Sequence, residues 1–125
     1  MKSAGFERLV REGVERLPAW VREKIRNVAL LVEDEPSEEV RALEHLGPDE
    51  TLLGLYQGTP LIARSYDTSG SLPDTITLYR LPIEDAARED GMDVRDVIAD
   101  TVWHEFAHHF GMDEGEVRAR EQERG

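Results

Sequence analysis

Apolar residues recur at helical spacing from the start of the chain. Phe6, Leu9, Val10, Val14 and Leu17 stand among charged neighbours, and Pro18 closes the run. A second amphipathic stretch follows through Trp20, Val21 and Ile25. At Val28 the pattern changes. Val28-Ala29-Leu30-Leu31-Val32 is a short unbroken apolar run, which predicts a buried, central strand, and Glu33-Asp34-Glu35-Pro36 ends it. Ser37 then caps a short helix over Glu38 to Leu43, before a polar loop around Gly47-Pro48-Asp49. Thr51 to Tyr56 and Leu61 to Arg64, separated by Gln57-Gly58-Thr59-Pro60, predict two strands of a hairpin. The polar segment from Ser65 to Asp74 leads into a strand at Thr75 to Arg80, with Ile76 and Leu78 on one face and Thr75, Thr77 and Tyr79 on the other. Beyond Pro82 a short helix spans Ile83 to Arg88. Gly91 separates it from a long helical run, Val94 to Phe110, that ends at Gly111, and Glu114 to Glu123 predicts a last helix. With neither an internal repeat nor a linker, the pattern describes a single α+β domain over residues 1–125, a small mixed or antiparallel sheet packed on helices.

Composition sharpens this picture. A chain of 125 residues at 39% hydrophobic can bury one modest core but hardly a second. Its formal net charge of −12 disfavours both the phosphate backbone of nucleic acids and anionic lipid, so neither is expected as a partner. Cysteine is absent, which removes disulfides and thiolate metal sites and leaves His, Asp and Glu as the only metal donors. No stretch approaches the roughly 18 apolar residues of a membrane span, and Met1 to Arg8 lacks the apolar core of a secretory signal. A cytoplasmic location is expected.

The candidate chemistry lies in His104-Glu105-Phe106-Ala107-His108. An α-helix turns about 100° per residue, so imidazoles four residues apart lie within about 40° of each other and can share one cation. Glu105, beside them, can leave both rings on the metal and reach a water activated by it, the division of labour that peptide hydrolysis by zinc requires. Val102, Trp103, Phe106, Ala107 and Phe110 cluster on one side of this helix, and Thr101, His104, Glu105 and His108 on the other. The bland alternative is a solvated helix carrying the pattern by chance, which happens in about one or two chains in a hundred of such composition. A catalytic zinc normally takes three protein ligands and keeps one position open. Gly111, seven residues after His104, lets the chain turn back, and the residue three further on is Glu114. Asp113 and Glu116 lie close by, so the third donor is a carboxylate, with an N-terminal cap of the last helix as the competing role for Asp113 and Glu114. His109 points elsewhere and suits a supporting position; His45 is a solvated loop histidine.

The run Thr101 to Glu114, together with Leu53-Gly54-Leu55-Tyr56-Gln57-Gly58 and Ile76-Thr77-Leu78-Tyr79-Arg80, resembles the minimal zincin-like metallopeptidases of bacteria over nearly the whole chain. That family has a compact zincin core with an HExxHxxGxxD pattern, similar to adamalysin-type metzincins without their large C-terminal subdomain. By position the resemblance implies a zincin-like fold, Zn2+ held by His104 and His108, Glu105 as general base, and Glu114 in the place of the aspartate ligand. Glutamate here is one methylene longer than the family's aspartate, so either the turn differs or Asp113 takes the role. No Met-turn is recognisable.

These residues predict a zinc-dependent metallopeptidase acting on a peptide or protein. Zinc polarises the scissile carbonyl and Glu105 moves the proton from water to the leaving nitrogen. Either the strand from Thr75 or the one near Leu53 to Tyr56 can offer an edge to an extended substrate, and Tyr56 and Tyr79 are candidates to steady the oxyanion. Two other classes fit the same residues: a metal-binding or interaction module without useful turnover, favoured by the small size, and a hydrolase of non-peptide amides.

Overall fold

A computed structural model of the chain describes residues 3–58 and 74–109. Helix α1 (Ser3–Glu15) buries Phe6 and Val10, and Leu17 continues its apolar stripe past the helix end. Helix α2 (Ala19–Lys24) starts directly after Pro18, whose fixed φ suits the entry to a helix, and buries Val21. Strand β1 (Ala29–Glu33) is followed by α3 (Glu38–Leu43), where the Ser37 hydroxyl accepts the Val40 N–H at 3.2 Å as an N-cap. His45 ends α3 in the left-handed region at φ 55°, while Leu46 N–H returns to the Arg41 carbonyl. Strands β2 (Gly54–Gln57) and β3 (Thr75–Tyr79) precede α4 (Arg80–Asp90) and α5 (Val94–His109).

The sheet order is β1-β3-β2. β1 runs parallel to β3 with Leu31 opposite Thr77, and β2 runs antiparallel to β3 with Leu55 opposite Thr77. The expected position of the first strand is therefore corrected: β3, not β1, is central among the described strands. Leu30 and Val32 pack partly against the core while Leu31 between them is 44% exposed. An apolar run reports affinity for burial and not the number of strand neighbours. β2 begins at Gly54 and not at Thr51, and its described partner is β3; the expected second hairpin strand, Leu61 to Arg64, lies outside the described residues, as do most of the loop from Ser65, Phe110, Gly111 and the last helix from Glu114.

Helix α4 begins two residues before Pro82 rather than after it. In the first turn of a helix an N–H has no intrahelical partner, so proline costs nothing there, and Leu81 N–H is instead taken by the Asp34 carbonyl at 3.0 Å. Gly91 at φ 64° ends α4, and only Met92 and Asp93 separate it from α5. Asp93 caps α5: its carboxylate accepts the Arg95 backbone N–H at 2.8 Å.

One core joins these elements. Ile76 and Leu78 of β3 meet Ile83 and Ala87 of α4, the apolar faces of α1 and α2, and Val97, Ile98, Val102, Trp103 and Phe106 of α5. Trp20 stands edge-on to Trp103 with centroids 5.6 Å apart, and 5.9 Å from Phe106. At Gly13 α1 approaches α5 so closely that a Cβ would lie 2.8 Å from the Arg95 carbonyl oxygen. Arg16–Asp96 at 2.7 Å and Arg95–Glu12 at 3.3 Å flank that crossing. The second face of β3 is covered as well, with Thr77 and Tyr79 both buried. Among the described residues no helix is long and apolar enough to cross a membrane.

Candidate active site

Helix α5 is buried along most of its circumference, with Val97 to Ala99, Thr101 to Trp103, Phe106 and Ala107 all inside. The polar side is thus narrower than the sequence pattern suggested: Thr101 is buried, its hydroxyl turned back onto the Val97 carbonyl at 2.7 Å. His104 and His108 emerge from this helix as exposed side chains, ring centroids 6.3 Å apart and planes inclined by 29°. Two imidazoles sharing one zinc ion would stand closer, at roughly 5 Å between centroids, so these rings would have to turn toward each other to hold it.

Glu105 is half-buried, and its Oε1 accepts the backbone N–H of Tyr56 at 3.0 Å. The β2–β3 pairing explains why that donor is available. Tyr79 N–H donates to the Leu53 carbonyl at 2.9 Å, so positions 53, 55 and 57 face β3, and the alternation of an antiparallel ladder leaves the N–H of Tyr56 directed at the outer edge. There α5 lies against the strand. Gly54 permits the approach, since a Cβ at that position would stand 2.7 Å from the Thr101 methyl. Burial pushes the Glu105 carboxyl above its usual range, while the Tyr56 N–H and then the nearby His108 and His104 pull it down and Glu44 adds to the rise. The Tyr79 phenol is likewise raised, first by burial and then by Glu33, Glu44 and Glu105.

His109 also finds a place. Its ring stacks on Tyr56, centroids 3.8 Å apart and planes 13° from parallel, and its Nε2 lies 3.8 Å from Asp74 Oδ2. The Tyr56 hydroxyl donates to the same oxygen at 2.9 Å. The last turn of α5 is in this way fastened to β2 and to the entry of β3. That hydroxyl is engaged with Asp74, and Tyr79 is buried in the central strand, so neither tyrosine presents itself as an oxyanion donor. His45 is exposed at the end of α3, as expected of a loop histidine.

The donor set suits a divalent metal as far as it is described: two exposed imidazoles on one helix with a carboxylate between them in sequence. Among the described residues no three His, Asp or Glu side chains gather into a metal cluster. The predicted third donor, Glu114, and its neighbours Asp113 and Glu116 lie outside the described residues. Sequence reasoning missed Tyr56 as the partner of Glu105, because the group involved is a backbone N–H and every non-proline residue has one. It also missed a cleft of about 330 Å³ that borders His104 and Glu105 and extends between Leu53, Met92 and Val97.

A family model described as zincin-like metallopeptidase matches residues 25–124. Among solved structures, a conserved hypothetical protein from Thermo thermophilus is similar at a TM-score of 0.53 and 23% identity, over 87% of this chain and 94% of that one, a likeness of fold alone. No curated protein matches the chain.

Proposed function

The chain belongs to the zincin-like metallopeptidase family, and from that premise we propose that it hydrolyses peptide bonds with Zn2+ held by His104 and His108 and with Glu105 as the general base. The observation that carries this reading is the setting of Glu105: half-buried, adjacent in sequence to His104, and fixed by a backbone N–H 3.0 Å away. Bound zinc supplies an electrophile that polarises a peptide carbonyl and makes a water acidic enough to attack.

The chain's own residues handle protons and orientation. A general base works best when its pKa sits near the operating pH, and burial moves the Glu105 carboxyl in that direction. With Oε1 held by the Tyr56 N–H, the second carboxylate oxygen is the less engaged one to accept a proton from water and return it to the leaving nitrogen. Among the described strands β2 lies at an edge and β3 at the centre, which supports β2 rather than β3 as the strand along which an extended peptide aligns. The third metal ligand in this proposal is Glu114, with Asp113 as the substitute.

The test has two measurements: metal content of the purified protein, and cleavage of an internally quenched peptide library by wild type and Glu105→Gln. About one zinc per chain with cleavage lost in the variant supports the reading. Zinc without Glu105-dependent cleavage would instead favour a metal-binding module, and a chain indifferent to zinc would overturn the proposal.

A further inference from the structure

We propose that the cleft beside Glu105 receives a basic side chain, arginine or lysine, of the peptide substrate, so that cleavage is selective for a cationic residue next to the scissile bond. This rests on the peptidase reading above. His104 and Glu105 line the cleft together with Val97 of the same helix and with Asp90 and Met92 from the junction of α4 and α5. At 1.5 Å per residue along α5, Val97 stands about 10 Å behind His104, so the cleft runs back along the helix from the reacting groups. A side chain entering at Glu105 is thereby led toward the end of α4.

Its walls suit an alkyl stem. Leu52, Leu53, Met92 and Val97 are apolar, and a volume of about 330 Å³ admits a long side chain. Its charge suits a cationic head. The described lining residues include Asp90, Asp100 and Glu105 and neither lysine nor arginine. Asp100 already has a partner within the protein, and Asp90 is the carboxylate assigned to the cationic head. Asp90 is the exposed last residue of α4, where the unpaired helix carbonyls add partial negative charge. The opposing positive end of α5 is covered by the carboxylate of its cap, Asp93. Long basic side chains bury their stems on apolar surface and keep the head in a polar setting, which is the combination this cleft offers. An acidic side chain meets only repulsion there, and an aliphatic one leaves the carboxylate at the far end without a counter-charge.

The test uses the zinc-loaded full chain and quenched peptides that differ only in one residue beside the cleaved bond: arginine, lysine, norleucine or glutamate. Arginine and lysine peptides are expected to exceed norleucine by about two- to fivefold in kcat/KM, with glutamate lowest. Asp90→Asn should bring the arginine-to-norleucine ratio toward one, and Asp90→Lys should raise glutamate above arginine. Equal or better cleavage of norleucine, or a ratio that Asp90→Lys does not move, would overturn the proposal. If no peptide is cut at all, the peptidase reading fails separately, and binding decides the cleft. N-acetyl-arginine amide, but not N-acetyl-norleucine amide, should then shift the amide resonances of Val97 and Thr101 in wild type and not in Asp90→Lys. No shift in wild type would sink it.

Discussion

The backbone N–H of Tyr56 donates to the Glu105 carboxylate at 3.0 Å, and the Tyr56 ring lies stacked under His109 four residues further along the same helix. One residue of β2 thus contacts α5 at positions on both sides of His108. Strand and helix are held together at the acid on which the proposed chemistry depends.

Glu105 carries a carboxyl raised by burial, so the folded state binds its proton more tightly than the unfolded chain does. Below the unfolded value of about 4.3 both states are protonated and the group costs nothing. As the pH rises through the elevated folded value, the unfolded chain releases the proton more readily and stability falls. Glu105→Gln removes that cost and keeps an oxygen for the Tyr56 N–H. In urea denaturation of the metal-free proteins the variant should match wild type in acid and exceed it at neutral pH. A lower midpoint for the variant at neutral pH would mean that the carboxylate is a net stabiliser of the fold.

Gly13 and Gly54 each mark a backbone approach that a methyl would obstruct. At Gly13 the obstacle includes the Arg95 carbonyl oxygen at 2.8 Å and the Ile98 Cγ2 at 2.9 Å; at Gly54 it is the Thr101 methyl at 2.7 Å with the Thr77 carbonyl oxygen at 3.1 Å. Alanine at either position should cost about 1–3 kcal/mol in unfolding free energy. Only Gly54→Ala also forces β2 away from Glu105, so it should lower activity beyond its effect on stability. Adding Thr101→Ser, which deletes the obstructing methyl, should restore part of both. Equal activity losses in the two alanine variants would argue against a special role for the β2–α5 contact.

The capping residue Asp93 is held well below the usual carboxylate range, first by its hydrogen bond with the Arg95 side chain and then by the Arg95 backbone N–H. A depressed folded pKa contributes stability in full above the ordinary aspartate value of about 4 and loses it as the pH falls toward the folded one. Asp93→Ala should therefore lower the thermal midpoint at pH 7 and approach wild type in strong acid. Thermal melts across that window check it, and a gap that persists undiminished into strong acid would assign the effect to packing.

Both proposed imidazole ligands are exposed, so their removal should disturb the metal more than the fold. Excess zinc at about 100 times its dissociation constant should stabilise wild type by about 2.7 kcal/mol. His104→Ala and His108→Ala should lose most of that gain while melting near wild type in chelator. Zinc stabilisation that survives in both variants would place the metal elsewhere.

Much of this was legible in the chain. The spacing of His104 and His108 fixes them on one side of any helix they occupy, and the apolar positions Val102, Trp103, Phe106 and Ala107 mark the side of α5 that meets the core; both follow from local geometry and survive in the fold, whereas the burial of Thr101 does not follow from the sequence. The apolar run Ala29 to Val32 and the alternation through Ile76 and Leu78 likewise foretold β1 and β3. Strand order was not legible, because burial and pairing are separate properties and Leu31 is apolar yet 44% exposed at the sheet's edge.

What the sequence by itself determined is the identity and helical spacing of His104, Glu105 and His108, the groups proposed to bind metal and move protons, since side-chain chemistry and helical period are local. Only the tertiary structure decided which backbone N–H steadies Glu105, that His109 rests on Tyr56, and that residues near positions 52, 90 and 97 share one cleft. Those relations join segments tens of residues apart through main-chain groups and close approaches at glycine, and neither leaves a signature in residue type along the chain.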